Sequence, residues 1–62
     1  MQTLKDIRQK HQLTQKEAAR LLGVSYSYYV KVEEKRVNAG RGFIAKFARC
    51  FPNENLEVFF LW

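Results

Sequence analysis

One cysteine, one histidine, one proline and three glycines are all that this 62-residue chain holds of those four types. A lone Cys50 forms no intramolecular disulfide. Cys50 and His11 together fall short of the ligand set of a structural zinc site. Small secreted folds usually rely on such a staple. The expectation is therefore a cytosolic protein held by helix packing, with self-association adding to it. No apolar run approaches the ~20 residues that span a bilayer, and the charged opening MQTLKDIRQK does not read as a signal peptide. The sequence also lacks a Gly-rich phosphate loop and any nucleophile–base–acid set. It is not expected to be an enzyme, to carry a cofactor or to bind a metal or small molecule. The length suits one small domain over 1–62.

What is present is apolar and basic. Hydrophobic residues make up 47% of the chain, too many for a disordered tail. Eleven Lys/Arg against six Asp/Glu leave a net charge of +5. The charge is uneven. Residues 1–49 hold all eleven bases and four acids (Asp6, Glu17, Glu33, Glu34), a net of +7, whereas residues 50–62 hold only Glu54 and Glu57. A basic body attracts a polyanion, because Lys and Arg release counterions from phosphates. The plain alternative is a solvated surface that keeps the protein soluble.

Sparse punctuation separates five helical patterns. Thr3 followed by Asp6 opens the first, which runs to about Lys10 with Leu4 and Ile7 on one face. Thr14 and Glu17 form a complete capping box for the second, Gln15 to Leu22, with Ala18, Ala19 and Leu22 inward; Gly23 stops it. Ser25 caps the third, which runs to about Glu34. The fourth spans about Gly42 to Phe51, with Phe43, Phe47 and Cys50 or Phe51 inward. After Pro52-Asn53 a fifth spans about 55–61, with Leu56, Phe59 and Phe60 inward. His11 reads as a helix-end dipole partner and Cys50 as small core filler.

Helix, glycine turn and helix over about 15–34 make a helix-turn-helix unit, whose second helix can enter a DNA major groove. At 100° per residue, Tyr29 and Val32 face inward, onto Ala19 and Leu22. Ser27 centres the opposite face, with Val30 and Lys31 beside it and Tyr26 and Tyr28 flanking it. Lys31 can donate to guanine, Ser27 can pair with several bases, and Val30 can meet a thymine methyl. Tyr26 and Tyr28 are expected clear of the core and within reach of DNA.

The segment TQKEAARLLGVSYSYYVKVEEKR, residues 14–36, resembles the Cro/C1-type helix-turn-helix family, the xenobiotic-response-element-like repressors. Gln15, Ala19, Gly23, Val24, Ser25, Tyr29, Val32 and Glu33 fall in register, with Leu4, Ile7 and Arg8 upstream and Phe43 to Leu61 downstream. The resemblance implies an all-α, five-helix lambda-repressor-like domain that binds double-stranded DNA. It places Tyr26, Ser27 and Lys31, joined by Val30, at base-reading positions, and Gln15 and Ser25 at the DNA backbone. Tyr28, Lys35, Arg36, Asn38 and Arg41 are further backbone candidates. Arg8 and Glu33 match an ion pair joining helices one and three. Three features depart from the family pattern. Lys35 stands where a glycine is usual, so the loop is expected to turn differently; a proline before helix four is missing; Ala18 replaces a larger side chain, with Tyr29 able to fill the space.

The tail LEVFFLW leaves Val58, Leu61 and Trp62 partly out if Leu56, Phe59 and Phe60 face in. Such an apolar patch marks an interface, here a homodimer surface that the resemblance also favours; the alternative is Trp62 folding back. Two functional readings follow. One is a sequence-specific transcription regulator, a repressor of the phage or mobile-element kind, acting as a dimer on a pseudo-palindrome. The other is an antitoxin-like or inhibitory protein-binding module that uses the apolar C-terminal helix.

Overall fold

The computed structural model describes residues 3–60, except for the side chains of Glu57 and Phe60. The described residues form four helices of seven to ten residues: α1 Leu4–Lys10, α2 Gln15–Leu22, α3 Tyr26–Glu33 and α4 Arg41–Cys50. They contain no strand. The fifth helix expected over about 55–61 is a single turn here, α5 Glu57–Phe60. Helix α4 starts at Arg41 and ends at Cys50, one residue earlier at each end than the spacing of Phe43 and Phe47 suggests.

Local chemistry sets the helix starts. Thr3 Oγ1 accepts from Asp6 N at 3.1 Å, and Asp6 Oδ2 accepts from Thr3 N at 3.0 Å. Thr14 and Glu17 repeat this reciprocal box at 3.1 and 2.8 Å. Ser25 Oγ accepts from Tyr28 N at 3.1 Å. Each box satisfies donors that a helix start otherwise leaves orphaned. Gly40, ahead of α4, has no side chain to do so.

The ends of α1, α2 and α3 share one geometry. After α1, Gln12 N donates to Gln9 O and Leu13 N to Arg8 O. After α2, Gly23 N donates to Arg20 O and Val24 N to Ala19 O. After α3, Lys35 N donates to Val32 O and Arg36 N to Lys31 O. This paired closure needs a left-handed residue. Gly23 supplies it at φ +72°, but Gln12 and Lys35 adopt φ +58° and +64°. The loop after α3 therefore keeps the left-handed turn that a lysine was expected to avoid. The two bonds closed by that turn outweigh the roughly 1–2 kcal/mol cost of a Cβ there. Lys35→Gly is expected to raise stability by about 0.5 kcal/mol, the relief of strain less glycine's greater freedom in the unfolded chain. Thermal unfolding then shifts up by roughly 2–4 °C. An unchanged or lower midpoint would show that Lys35 sits there without strain.

The core joins all these elements. Ile7, Tyr29, Val32 and Phe47 are almost wholly buried, with Leu4, Ala18, Ala19, Leu22, Phe43, Phe51 and Phe59 around them. Phe59 from the terminal turn meets Phe43 and Phe47 edge-on at 5.9 and 5.0 Å, the arrangement aromatic quadrupoles favour. Leu56 and Val58 are half-buried against this cluster. Phe51 completes the buried face of α4, while Cys50 stays half-buried with its thiol 3.5 Å from Leu21 O. Ala18 and Tyr29 border a cavity of about 10 Å³ together with Leu4, Ile7, Leu22 and Phe47. That volume is at the lower limit for one water, so little space is left open beside the small Ala18.

Candidate nucleic-acid interface

Burial of Tyr29 and Val32 fixes the rotation of α3. Ser27 and Lys31 are consequently exposed, and Tyr26 keeps 47% of its surface. Val30 is half-buried, so only part of its methyl surface faces outward. Tyr28 departs from expectation: its ring packs on the core edge-on to Phe43, at 5.9 Å. The helical wheel accounts for this, because Tyr28 lies only ~40° from Val32 on the inward arc. Its hydroxyl accepts weakly from Gly40 N at 3.5 Å, bracing the loop before α4.

Beneath this face lies a polar network. Arg8 Nε and Nη2 donate to Glu33 Oε2 and Oε1 at 2.9 and 3.0 Å, a bidentate fork, and Nη1 donates to Leu13 O at 2.9 Å. The two side chains are only 12% and 5% exposed. Gln15 Nε2 donates to Glu33 Oε1 at 3.3 Å, so the side chain at the start of α2 is oriented by the ion pair. Burial alone would raise the Glu33 carboxyl, but bonds from Arg8, Tyr29 and Gln15 carry it below its ordinary value. Burial also pushes the Tyr29 hydroxyl up, and its bond to Glu33 adds to this, so it stays protonated as a donor.

The remaining backbone candidates surround the outer face of α3. Ser25, Lys35, Arg36 and Asn38 are exposed, and Arg41 is exposed at the first position of α4 rather than in the preceding loop. Arg36 Nε lies 3.0 Å from Glu34 Oε1 in an exposed pair, which solvent makes weak. Val58 is half-buried against the core; Leu61 and Trp62 lie outside the described residues.

Other contacts have no short-range sequence signal. Glu54 Oε2 lies 2.9 Å from His11 Nε2 and 3.1 Å from Lys10 Nζ, tying the segment after α4 to the end of α1. His11 is thus a cross-chain partner as well as the cap of α1, and its ring rests 4.8 Å from that of Phe51. Lys46 Nζ donates to Gly23 O at 3.5 Å, a cation at the end of α2. Lys16 Nζ sits 5.7 Å from the centre of the Tyr26 ring.

Four carboxyls are held below their ordinary values. Backbone bonds from Thr3 and Thr14 lower Asp6 and Glu17, His11 and Lys10 lower Glu54, and Arg8 with Tyr29 lowers Glu33 against its burial. A depressed folded-state value contributes stability that is complete above the unfolded-state value near 4 and is lost as pH falls through the folded value. The melting temperature is therefore expected to stay level from about pH 7 to 5 and to fall steadily below that. A midpoint at pH 3 equal to that at pH 6 would contradict this assignment.

A helix-turn-helix unit with its second helix turned outward on a basic body defines a class of DNA-binding proteins. The helix-turn-helix family model matches residues 4–58. The chain therefore belongs to the Cro/C1-type helix-turn-helix family, a family of DNA-binding transcription regulators. No curated protein and no solved structure matches it. No helix among the described residues is long and apolar enough to cross a membrane.

Proposed function

We propose that residues 1–62 form one helix-turn-helix domain, acting in the cytosol as a sequence-specific transcriptional repressor. It binds double-stranded DNA as a homodimer. The observation that carries this reading is the division of α3: Tyr29 and Val32 are buried, while Ser27 and Lys31 project outward. Helix α3 then enters a major groove about 12 Å wide. Tyr26, Ser27, Val30 and Lys31 meet base edges. Ser25, Gln15, Lys35, Arg36, Asn38 and Arg41 contact phosphates on either side, with Tyr28 adding its hydroxyl. The repressor sense comes from the family resemblance. Homodimerisation through the apolar C-terminal segment is favoured by the excess of apolar residues there, with Val58, Leu61 and Trp62 as interface candidates. It would set two copies of α3 about 34 Å apart on a pseudo-palindrome.

Selection of bound duplexes from a random pool tests this directly. The expected product is a symmetric motif with half-site centres one helical turn apart. Its affinity should fall with salt at a log–log slope of roughly −0.9 per phosphate neutralised. Absence of enrichment, or salt-insensitive binding, would overturn the reading. An unsymmetric motif would overturn the dimer alone.

A further inference from the structure

We propose that Lys16 determines DNA specificity together with Tyr26, by holding the Tyr26 ring at the first turn of α3; this rests on the DNA-binding reading. The two residues are ten apart in sequence and meet across the glycine turn. Lys16 Nζ lies 5.7 Å from the ring centroid, within cation–π range. Among the described residues the Tyr26 hydroxyl has no hydrogen-bond partner, and the lysine adds a directional contact to this half-exposed ring. An unheld ring of that exposure exchanges rotamers freely and loses that freedom on meeting a base. A held ring arrives at the groove already placed.

The position of Lys16 supports a role beyond helix stability. Thr14 caps α2, so Lys16 is its second residue. The helix dipole there favours an acid and opposes a cation. Capping is already complete through Glu17, one residue on. The lysine therefore contributes nothing to starting the helix, and its reach across to α3 is what the site gains. Arg20, four residues later on the same side of α2, is also exposed and extends a positive edge along the helix. The arrangement gives Tyr26 one preferred placement against the first base step. Its phenol can then donate to or accept from that base while the ammonium stays close to the adjoining phosphate.

Affinities of Lys16→Met, Lys16→Arg, Tyr26→Leu and Lys16→Met/Tyr26→Leu for the selected duplex and for a scrambled duplex test this. Lys5→Met, on α1, serves as the control for loss of one surface charge. Lys16→Met is expected to lower the selected-to-scrambled affinity ratio roughly two- to fivefold per half-site, the scale of an exposed cation–π contact. Lys16→Arg retains the ratio. In the Tyr26→Leu background the same lysine change leaves the ratio unaltered. In the free protein, Lys16→Met should also shift the Tyr26 ring resonances in the NMR spectrum. Equal losses on both duplexes, persisting in the Tyr26→Leu background, would make Lys16 an ordinary phosphate contact and overturn the proposal. Retention of the ratio by Lys16→Met would overturn it as well. Failure of the unaltered protein to bind any duplex would instead overturn the DNA-binding reading and this proposal with it.

Discussion

Arg8→Ala is expected to cost about 3–5 kcal/mol, the cost of leaving a buried charge without its partner. A chain of 62 residues has roughly 3–9 kcal/mol in total. The variant should therefore keep at most about 6 kcal/mol, and is unfolded at room temperature where the unaltered protein lies at the low end of that range. The argument turns on what Glu33 retains. Its carboxylate is 5% exposed, and without the guanidinium only Gln15 and Tyr29 remain to solvate it. The substitution also strands Leu13 O, which accepts the third Arg8 bond. Arg8→Lys keeps the charge but not the planar fork, so it should fall between the two. Arg8→Met combined with Glu33→Leu and Tyr29→Phe removes the charges and the hydroxyl that bonds them, and should recover stability near that of the unaltered protein. Urea unfolding of the set measures this. The sign with pH adds a check. In Arg8→Ala the Glu33 carboxyl has lost its main opposing charge, so its protonation relieves the penalty and the deficit narrows in acid. A loss below about 1 kcal/mol would reduce the pair to the energetics of a surface salt bridge.

How much of this was legible in the sequence depends on the range of the interaction. The T-x-x-D and T-x-x-E boxes are complete within four residues, and helix starts at Leu4 and Gln15 follow from them directly. Burial of Tyr29 and Val32 follows from a 100° step once the cap at Ser25 fixes the frame. The Arg8–Glu33 pair spans 25 residues, and only the family resemblance pointed to it. Glu54 with His11, and Lys16 with Tyr26, had neither signal, because each depends on how two elements pack. The loop after α3 differs from expectation for another reason. A left-handed lysine is unfavourable by itself, yet the bonds from Lys35 N to Val32 O and from Arg36 N to Lys31 O close the helix only in that conformation. The expectation that Tyr28 stays clear of the core overlooks its place ~40° from Val32 on the inward arc. The break at Pro52-Asn53 and the inward positions after it suggest a fifth helix over about 55–61; the described residues hold one turn of it, pinned by Phe59 between Phe43 and Phe47.

Lys31→Ala is expected to separate base reading from charge. Lys31 is exposed near the end of α3, and alanine is the better helix former, so the fold should survive with a change of a few tenths of a kcal/mol. A lysine donating to guanine O6 and N7 is worth about 1–3 kcal/mol of discrimination. A two-fold dimer removes that contact from both half-sites at once, so the selected duplex should lose about 2–6 kcal/mol. A scrambled duplex offers Lys31 only a phosphate and should lose far less, with the salt slope shallower by no more than about 0.9 per copy. Ser27→Ala should follow the same pattern with a smaller loss, since a hydroxyl pairs with several bases. Gln15→Ala should weaken both duplexes alike, because the proposed reading gives the amide that Glu33 orients at the start of α2 a phosphate contact, which carries no sequence information. Replacing one half-site guanine in the selected motif completes the cycle. If Lys31 reads that base, Lys31→Ala and the base change together cost little more than either alone. Additive losses, or equal losses on selected and scrambled DNA, would move Lys31 to the backbone and leave Tyr26 and Ser27 as the base-reading pair.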